Sequence, residues 1–404
     1  MFLSPSLLDA VRRHARDCAP KGLYSFYLYD TTPMREKIRC LKTLMPRGVE
    51  IYYAMKANPH AAFLKAAREA GAKGIEIASL GEGKKAVAAG WKADDILFTG
   101  PGKSPEEHAW SVEQGIHALH LDSLYEAHRL NAVAAKASRK QDVLLRVNPN
   151  FHMHGAQACF SGEASKLGVD EARLHKILPE ILALPHLRFR GLHVYAASGV
   201  LKVEDLLENC KLVFKMAKEV EAKFPHVRCD VIDFGGGFGI DYLETGMDFS
   251  PEAYAKGLQK LIDAFGFADR AFVLELGRYL AADSGWYCTK IVDIKDSSGK
   301  KQIICQGGAH HFRRPTALNI NHPLVIVPMG VPPLFAGQEW VNDEMAFIGG
   351  SLCNTADKLT AKPVHLQEAR IGDIVVLGLA GAYGLTMSHI DFLGHPHPPE
   401  IVLS

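Results

Sequence analysis

The sequence has no excess of charge of either sign, no long apolar run and no low-complexity segment. Its 46 Lys and Arg residues balance 45 Asp and Glu residues, so the formal net charge of +1 gives no indication of a nucleic-acid partner. No apolar run reaches the roughly 18 residues of a membrane span. The first residues, MFLSPSLLDAVRRHARD, carry charge too early for a secretory signal. We therefore expect a cytoplasmic protein that binds neither membranes nor nucleic acid.

Paired cysteine motifs are also missing. The eight cysteines are scattered and none forms a C-x-x-C pair, which argues against a zinc ribbon or a thioredoxin motif, and we predict no metal site. Scattered thiols without a secretory signal are typical of a reducing compartment. With 48% hydrophobic and 23% charged residues, the 404-residue chain is long enough for one large domain and a smaller one.

A regular alternation of strand-like and helix-like segments occupies the first two thirds of the chain. Helical patterns separate most of the eight β-rich runs, which span residues 50–58, 74–79, 95–102, 117–123, 142–149, 189–199, 229–239 and 271–278. Eight such repeats predict a (β/α)8 (TIM) barrel over residues 34–280. A doubly wound sheet is the alternative, although such sheets usually have fewer strands.

The pattern changes after Arg278. Segments such as WYCTKIVDIKDSSGKKQIICQGG alternate in the manner of strands around a turn, and no helical pattern of similar strength follows. Residues 281–404 are therefore predicted to form a second, β-rich domain of sandwich or barrel type. Residues 1–33, which contain the strand-like SFYLYDTTP, are expected to join it.

Several chemically distinctive residues follow the predicted barrel strands. They are Lys56 after the first strand, His193 on the sixth, the GGGFG run 235–239 after the seventh, and Glu275 and Arg278 at the eighth. Each has an ordinary explanation when taken alone: a solvated lysine, a core histidine, a tight turn, a surface ion pair. Because a barrel brings the C-terminal ends of its strands to one mouth, their joint placement favours an active site there.

The glycine run favours phosphate binding over dinucleotide binding. A Rossmann fingerprint needs the spacing G-x-G-x-x-G at the start of a helix, normally early in a domain, whereas GGGFG follows the seventh strand and leads into turn-like sequence. Successive backbone N–H groups of such a loop can hold one phosphate. A lysine, a phosphate loop and a carboxylate together suggest pyridoxal 5'-phosphate (PLP) as the cofactor.

These motifs resemble the fold-type III PLP-dependent decarboxylases, which include diaminopimelate, ornithine and arginine decarboxylases and share their fold with alanine racemase. YYAMKAN resembles the family's Y-A-V-K-A-N, ELGR its E-P-G-R, and GLHV, GGGFG and LRVNP also have counterparts in the same order over roughly residues 25–400. The resemblance implies a Schiff base at Lys56 and stacking of His193 on the cofactor ring. It implies that PLP is bound by Lys56, Arg146, His193, Ser198, Gly235, Gly236, Gly237, Glu275, Gly277, Arg278 and Tyr383.

Two further matches lie in the β-rich half. GGSLCNTADKL resembles the family's G-P-x-C-E-S-x-D, which aligns Cys353 with the catalytic cysteine and Asp357 with the acid that follows, and GAYG places Tyr383 near PLP. In the family these groups come from the partner subunit. The resemblance therefore implies a homodimer with shared active sites. Without the motif, Cys353 would be interpreted as an ordinary thiol.

Glu275 and Cys353 distinguish two reactions that this fold supports. Alanine racemases place an arginine against the pyridine nitrogen, whereas a carboxylate there favours the fully developed quinonoid that loss of CO2 requires. Cys353 would then return a proton to the quinonoid. The resemblance thus implies a decarboxylase, with an amino-acid racemase as the alternative. Small single-barrel PLP-binding proteins are a third class, but they lack the second domain and the cysteine motif.

The substrate side of the motif departs from the family. Asn354 stands where lysine-forming decarboxylases carry a glutamate that meets the distal ammonium of the substrate. CQGGAHHFRRPTAL aligns Arg314 with a ligand of the substrate carboxylate, while His310, His311 and Arg313 add donors. The predicted substrate ligands are Arg278, His310, Arg314, Asn354 and Asp357.

These departures suggest a substrate whose far end is neutral or anionic. Conjugated amino acids of siderophore pathways, such as citrate-conjugated diaminopropionate, fit that description. Free diaminopimelate, ornithine or lysine is the alternative.

Overall fold

The computed structural model describes residues 3–151, 158, 159 and 164–403 and divides the chain into two compact units. One consists of Met34–Ile240 and Met247–Leu280, and the other of Met1–Pro33, Asp241–Gly246 and Ala281–Ser404. The predicted domain limits, 34–280, had assigned residues 241–246 to the barrel. The structure assigns them to the β-rich unit, where Tyr242 is buried with its ring 4.8 Å from that of His322.

The first unit is built on a closed sheet of eight parallel strands. In chain order these barrel strands are Val49–Ala54, Gly74–Ile77, Ile96–Phe98, Ala118–Leu121, Gln141–Asn148, Leu187–His193, Val231–Asp233 and Ala271–Leu276. Each pairs in parallel with its neighbours, and the pairing of the eighth strand with the first closes the ring. This arrangement confirms the predicted (β/α)8 barrel.

Helices connect the barrel strands, and several of them begin at a serine. The longer helices span Thr32–Leu44, Ala61–Glu69, Leu80–Ala88, Pro105–Gln114, Leu124–Lys136, Leu174–Leu182, Val203–Lys223 and Pro251–Phe265. Ser104 caps one of them, because its Oγ accepts the backbone N–H of Glu107, and the Glu107 carboxylate accepts the backbone N–H of Ser104. Such a capping box satisfies two backbone N–H groups that the helix leaves free, which stabilises the helix start by about 1 kcal/mol. Shorter elements of this unit are Ala158–Cys159, Val169–Asp170, Ala197–Ser198 and Arg278–Ala281.

The barrel interior changes from apolar to polar along its axis. An apolar cluster includes Ala118, Leu144, Val231 and Val273, each on a different strand. Two residues further along the same strands stand His120, Arg146, Asp233 and Glu275, all buried. Because side chains two apart in a strand face the same side, the polar set forms the next layer toward the C-terminal mouth.

The second unit is β-rich, as predicted. Its strands are Ser25–Tyr29, Gly285–Ser297, Lys300–Cys305, Leu324–Val327, Val341–Gly349, Val364–Ala369, Ile374–Leu377 and Glu400–Val402, accompanied by the helices Pro5–Cys18 and Arg314–Leu318. Ser25–Tyr29 pairs antiparallel with Gly285–Ser297 and parallel with Glu400–Val402. The early SFYLY segment thus joins the C-terminal sheet.

The N-terminal helix of this unit was not predicted from the sequence. Its apolar residues, which include Leu7 and Val11, pack in a cluster with Phe26, Leu28 and Val376 of the sheet. Among the residues that the structure describes, no helix has the length and apolar composition needed to cross a membrane.

Candidate active site

Lys56 stands at the mouth of the barrel. The first barrel strand ends at Ala54, and a single 3-10 turn, Met55–Ala57, follows and carries the lysine. The Lys56 Nζ lies 3.0 and 2.9 Å from the two carboxylate oxygens of Glu76, which is buried on the second strand, while the lysine side chain is 37% exposed. The amine is therefore anchored to the barrel interior and also reachable from solvent.

Four buried polar side chains form a compact cluster in the barrel interior. The rings of His120 and His193 stack with centroids 4.1 Å apart and planes inclined by 20°. The His120 Nε2 lies 3.2 Å from Asp233 Oδ2, and its Nδ1 lies 3.7 Å from Glu275 Oε1. The second Glu275 oxygen lies 3.5 Å from His193 Nε2. Glu275 is thus flanked by two imidazole rings.

Burial sets the charge state of this cluster. Loss of hydration lowers the pKa of His120 to about 4 and lowers that of His193 well below its ordinary value. Burial, followed by repulsion from Glu275, raises the pKa of Asp233 well above its usual range. The two imidazoles are consequently neutral near pH 7.

The glycine loop has no room for side chains. Gly235 and Gly237 have φ values of 64° and 121°, a region that favours glycine. A Cβ on Gly236 would lie 2.3 Å from the backbone oxygen of Glu275, and one on Gly235 would lie 2.6 Å from the Tyr195 ring. The Gly235 N–H donates to Asp233 Oδ1 at 2.8 Å, which ties the loop to the buried cluster.

The remaining predicted barrel residues lie on neighbouring strand ends and loops. Arg278 reaches Ser198 Oγ with its Nη2 at 3.3 Å. Gly277 lies against the lysine turn, because a Cβ there would be 3.0 Å from the Ala57 Cβ. Arg146 is buried on the fifth strand in register with His193. The barrel unit therefore contains the whole predicted cofactor set except Tyr383, which belongs to the β-rich unit and has φ 55°.

The β-rich unit contains a cavity of about 810 Å³. Three predicted substrate ligands, His310, Asn354 and Asp357, line it. Cys353, immediately before Asn354, is exposed. His310 is buried, and neither of its ring nitrogens has a hydrogen-bond partner in the part of the chain that the structure describes.

Asp357 organises one wall of this cavity. Its two carboxylate oxygens accept the backbone N–H groups of Ala309 and Leu352, at 2.5 and 2.8 Å. The backbone next to the carboxylate consists of glycines, because a Cβ on Gly308 or Gly350 would lie within 2.4 Å of an Asp357 oxygen. Burial raises the pKa of Asp357, and the two N–H donors oppose that rise. The Asp357 carboxylate therefore fixes the backbone of the loop that contains Cys353 and Asn354.

The two neighbouring arginines have different surroundings. Arg314 is only 2% exposed, with its guanidinium 4.1 Å over the Tyr242 ring and its Nε donating to His322 Nε2 at 3.2 Å. The exposed Arg313 lines the cavity, although the predicted substrate ligand was Arg314. The structure thus brings Arg313, and not Arg314, together with His310 and Asn354.

Comparison with known proteins identifies the family. Residues 32–282 match the family model described as pyridoxal-dependent decarboxylase, pyridoxal binding domain. This chain belongs to the pyridoxal-dependent decarboxylases. The decarboxylase is 32% identical to the 2-[(L-alanin-3-ylcarbamoyl)methyl]-2-hydroxybutanedioate decarboxylase of Staphylococcus aureus, over 94% of each chain.

Two further relatives agree with this assignment. The L-glutamyl-[BtrI acyl-carrier protein] decarboxylase of Niallia circulans is 31% identical, over 93% of this chain and 88% of that protein. The crystal structure of Helicobacter pylori diaminopimelate decarboxylase with L-lysine has 26% identity and a TM-score of 0.85, covering 96% of this chain and 94% of the other. The predicted family, fold, enzyme class and cofactor are therefore confirmed.

The barrel residues fit PLP. His193 Nε2 and Glu275 Oε1 are buried and have no hydrogen-bond partner among the residues that the structure describes, and a ring with a nitrogen would provide partners in this part of the barrel interior. The side-chain-free loop at Gly235, Gly236 and Gly237 provides the close backbone approach that a phosphate needs. A bound cofactor would thus provide partners for buried groups that have none within the described part of the chain.

Substitution of Gly236 by alanine in this decarboxylase is expected to impair both folding and cofactor binding. The added methyl group would overlap the Glu275 carbonyl oxygen at 2.3 Å, and such overpacking costs about 1–3 kcal/mol. We expect a lower thermal midpoint and PLP affinity at least about tenfold weaker, measured by fluorescence titration of the apo-protein. Gly102→Ala is the matched control, because its Cβ meets nothing within 4 Å. Equal effects of the two substitutions would contradict this prediction.

The stability of the β-rich unit is expected to depend on His311. Its Nε2 lies 3.0 Å from the Pro396 carbonyl oxygen and must donate to it, so its Nδ1 accepts from the Tyr287 hydroxyl at 3.3 Å. Burial lowers the pKa of His311 to about 3. Below pH 6.5 the unfolded chain takes up a proton that the folded chain does not. The stabilisation is therefore present above pH 6.5 and is lost as pH falls toward 3.

The measurement is the thermal midpoint of wild type and His311→Asn between pH 7 and 5. The wild type should lose about 2 kcal/mol at pH 5 through this one residue, at about 1.4 kcal/mol per pH unit. The variant should show a correspondingly smaller slope, since groups common to both proteins cancel. His365→Asn, at an exposed histidine, is the control. Parallel pH curves for wild type and His311→Asn would disprove the assignment.

Three residues of the site were not identified from the sequence: Glu76, His120 and Asp233. Each is the single polar residue of a short and otherwise apolar strand, in GIEI, ALHL and VID. Parallel barrel strands are buried on both faces and are usually apolar throughout. A lone polar residue within such a strand was the signal that could have identified them.

Proposed function

We propose that this decarboxylase removes the α-carboxylate of a conjugated amino acid whose far end is neutral or anionic. The observation that supports this most strongly is the charge balance of the β-rich cavity. Arg313 lines it, whereas the Asp357 carboxylate is occupied by two backbone N–H groups and Asp391 lies 2.8 Å from His397. Among the described residues that line the cavity, a distal ammonium would meet the cation Arg313 and only carboxylates that already have partners.

The neutral groups of the cavity suit hydroxyl and carboxylate partners. Burial lowers the pKa of His310 to about 4, so its neutral ring can donate one hydrogen bond and accept another. The Asn354 Oδ1 accepts from the Ala356 N–H, which leaves the amide NH₂ pointing away from that bond as a donor. Citryl-diaminopropionate has both hydroxyl and carboxylate groups at its far end. The name of the Staphylococcus aureus relative describes a hydroxydicarboxylate joined through an amide to alanine. We accordingly propose a siderophore pathway.

PLP, when bound, supplies an aldehyde for covalent attachment to Lys56 and a ring that accepts the electron pair released with CO2. In the proposed mechanism, Glu76 holds the Lys56 amine at the mouth and can exchange a proton with it. Glu275 would face the ring nitrogen with its carboxylate, and His193 would cover the ring. Arg278 and the loop at 235–239 would hold the phosphate, while the guanidinium of Arg146 would offset the charge of the buried carboxylates.

Cys353 is proposed to hold the proton that the product carbon receives. Because it belongs to the β-rich unit, as does Tyr383, the proposal includes a homodimer in which these groups complete the partner's site. A cytoplasmic location is part of the same proposal. A fully active monomer in solution would contradict the shared site.

Substitution of Cys353 by alanine is expected to lower the rate of decarboxylation by about 10²-fold, the low end of the range for general acid catalysis. Deuterium incorporation at the product α-carbon in D2O should also lose its stereospecificity, because solvent would replace a positioned donor. CO2 release and product NMR measure the two effects. Cys40→Ala is the control, since both thiols are exposed. Full activity with unchanged stereochemistry would eliminate Cys353 as the acid.

The substrate proposal is tested by CO2 release from a panel of amino acids. The panel contains citryl-diaminopropionate, a glutamyl pantetheine thioester, and free diaminopropionate, diaminopimelate, ornithine and lysine. We expect kcat/KM for the citryl conjugate to exceed that for each free amino acid by about 10²-fold or more, equivalent to about 2.7 kcal/mol. Arg313→Gln should reduce this preference, and Arg16→Gln, at an exposed arginine of the N-terminal helix, should not. A preference for a free diamino acid would overturn the proposal.

A further inference from the structure

We propose that His120 is a positioning residue of the cofactor site, which acts through His193 and Glu275 by fixing the plane of one ring and the orientation of one carboxylate. The inference rests on the proposed roles of those two residues at the PLP ring. His120 itself lies beside them in the polar layer of the barrel interior and belongs to neither the sequence motifs nor the proposed mechanism.

The first support is the ring stack. His120 is fully buried on the fourth barrel strand, and its ring lies parallel to that of His193 within 20°, at a centroid distance of 4.1 Å. The backbone of His120 is fixed by Lys103, whose Nζ donates to the His120 carbonyl oxygen at 2.6 Å. A ring that covers one face of a cofactor needs a rigid support on its opposite face, and the anchored His120 ring provides one.

The second support is the pair of carboxylates at its two nitrogens. Asp233 lies 3.2 Å from Nε2 and Glu275 lies 3.7 Å from Nδ1, so the imidazole connects two acids on neighbouring strands. Asp233 in turn accepts the N–H of Gly235 from the phosphate loop. His120 therefore stands in close contact with both the residue that holds the phosphate loop and the carboxylate of Glu275.

The charged and titratable groups that face this ring come from several barrel strands and from the segment before the helix Pro105–Gln114. They are Asp233, Glu275, His193, Glu76, Lys103 and Arg146. A neutral imidazole between two acids can donate to one and accept from the other if that other is protonated. Burial raises the pKa of Asp233 well above its usual range, so a protonated carboxyl group faces Nε2. The carboxyl group of Glu275 faces Nδ1 at 3.7 Å.

A metal ion is a less suitable occupant of the same cluster. Donor atoms of His120, His193, Asp233 and Glu275 all lie within 4.8 Å of one another. The lone pairs of nearly parallel stacked rings lie in two separate planes, however, and do not converge on one ion. The stacked arrangement is instead suited to holding the His193 ring in a fixed plane against the His120 ring.

Two variants separate the two contributions of His120. His120→Phe keeps a flat ring under His193 and removes both nitrogens, so the pH midpoint of the holoenzyme's visible absorbance should shift by about one unit. His120→Asn keeps a polar group and removes the stack, so the PLP affinity of the apo-protein should fall by about tenfold. His108→Gln is the matched control, a fully buried histidine on a barrel helix that faces Glu126 and should leave both readouts unchanged.

The outcomes distinguish this inference from the proposed function. If Glu275→Gln is impaired while both His120 variants show wild-type absorbance midpoints and PLP affinity, only the His120 inference fails. If Glu275→Gln and His193→Ala are unimpaired, the proposed roles at the PLP ring fail first. If both His120 variants fail to fold while His108→Gln folds, His120 is a structural residue and the inference is overturned.

Discussion

Replacement of Lys56 by alanine is expected to abolish the borohydride-reducible linkage between protein and PLP. It should lower decarboxylation by about 10³-fold or more, as when other residues that bind covalently during catalysis are removed. The physical reason is that Lys56 is the amine held at the barrel mouth, anchored by Glu76 at 2.9 Å and still 37% exposed. The measurements are the visible absorbance before and after borohydride and single-turnover release of CO2.

Lys73→Ala provides a matched comparison. Lys73 immediately precedes the second barrel strand, at the opposite end of the barrel, and its 44% exposed side chain also pairs with one carboxylate, Asp95. The Lys73→Ala protein should retain the visible absorbance and the decarboxylation activity of the wild type. Persistence of the reducible linkage in Lys56→Ala would refute the assignment, because another amine would then carry the cofactor.

Replacement of Glu275 by glutamine is expected to lower kcat by about 10²–10³-fold, the range seen when one preorganised electrostatic contact with the reacting system is lost. Glutamine keeps the volume of the side chain but removes the negative charge that the proposal places at the ring nitrogen. The substitution also avoids burying a second ionisable carboxyl group next to Asp233. The loss should therefore appear in kcat and in the cofactor absorbance without a fall in thermal midpoint.

Glu50→Gln is the control for this substitution. Glu50 is a partly buried carboxylate on the first barrel strand, two residues before Tyr52, which is the register partner of Glu275. Its replacement should leave kcat unchanged. A Glu275→Gln enzyme with wild-type kcat would show that the carboxylate does not support the electron-withdrawing ring.

The positions of the barrel strands were predictable because each is a short apolar run after a helix. The residues at which these strands end were harder to predict. The predicted run 50–58 ends as a strand at Ala54, and the predicted run 229–239 contains only Val231–Asp233 as a strand. In both cases apolar and glycine residues continue past the strand, in the lysine turn and in the glycine loop. The lysine turn and the glycine loop contain the predicted cofactor-binding residues. The apolar pattern therefore predicts strands that are too long at the ends where the functional residues lie.

The sequence motifs predicted those residues of the site that would contact a cofactor directly. Lys56, His193 and Glu275 are of this kind. Glu76 and His120 act on those residues from within the barrel, and a strand pattern alone does not show that they meet. The distinction between Arg313 and Arg314 likewise depends on the burial of Arg314 over Tyr242, a contact between residues far apart in the sequence.

The short excursion at Asp241–Gly246 has a consequence for the chain as a polymer. The backbone passes between the two units four times, after Pro33, Ile240, Gly246 and Leu280. No single cut releases either unit as an uninterrupted piece, and a barrel excised at its outer limits would retain a loop whose Tyr242 normally contacts His322 in the other unit. Transplanting this barrel, or exchanging its β-rich companion, therefore requires that loop to be rebuilt together with the two terminal junctions.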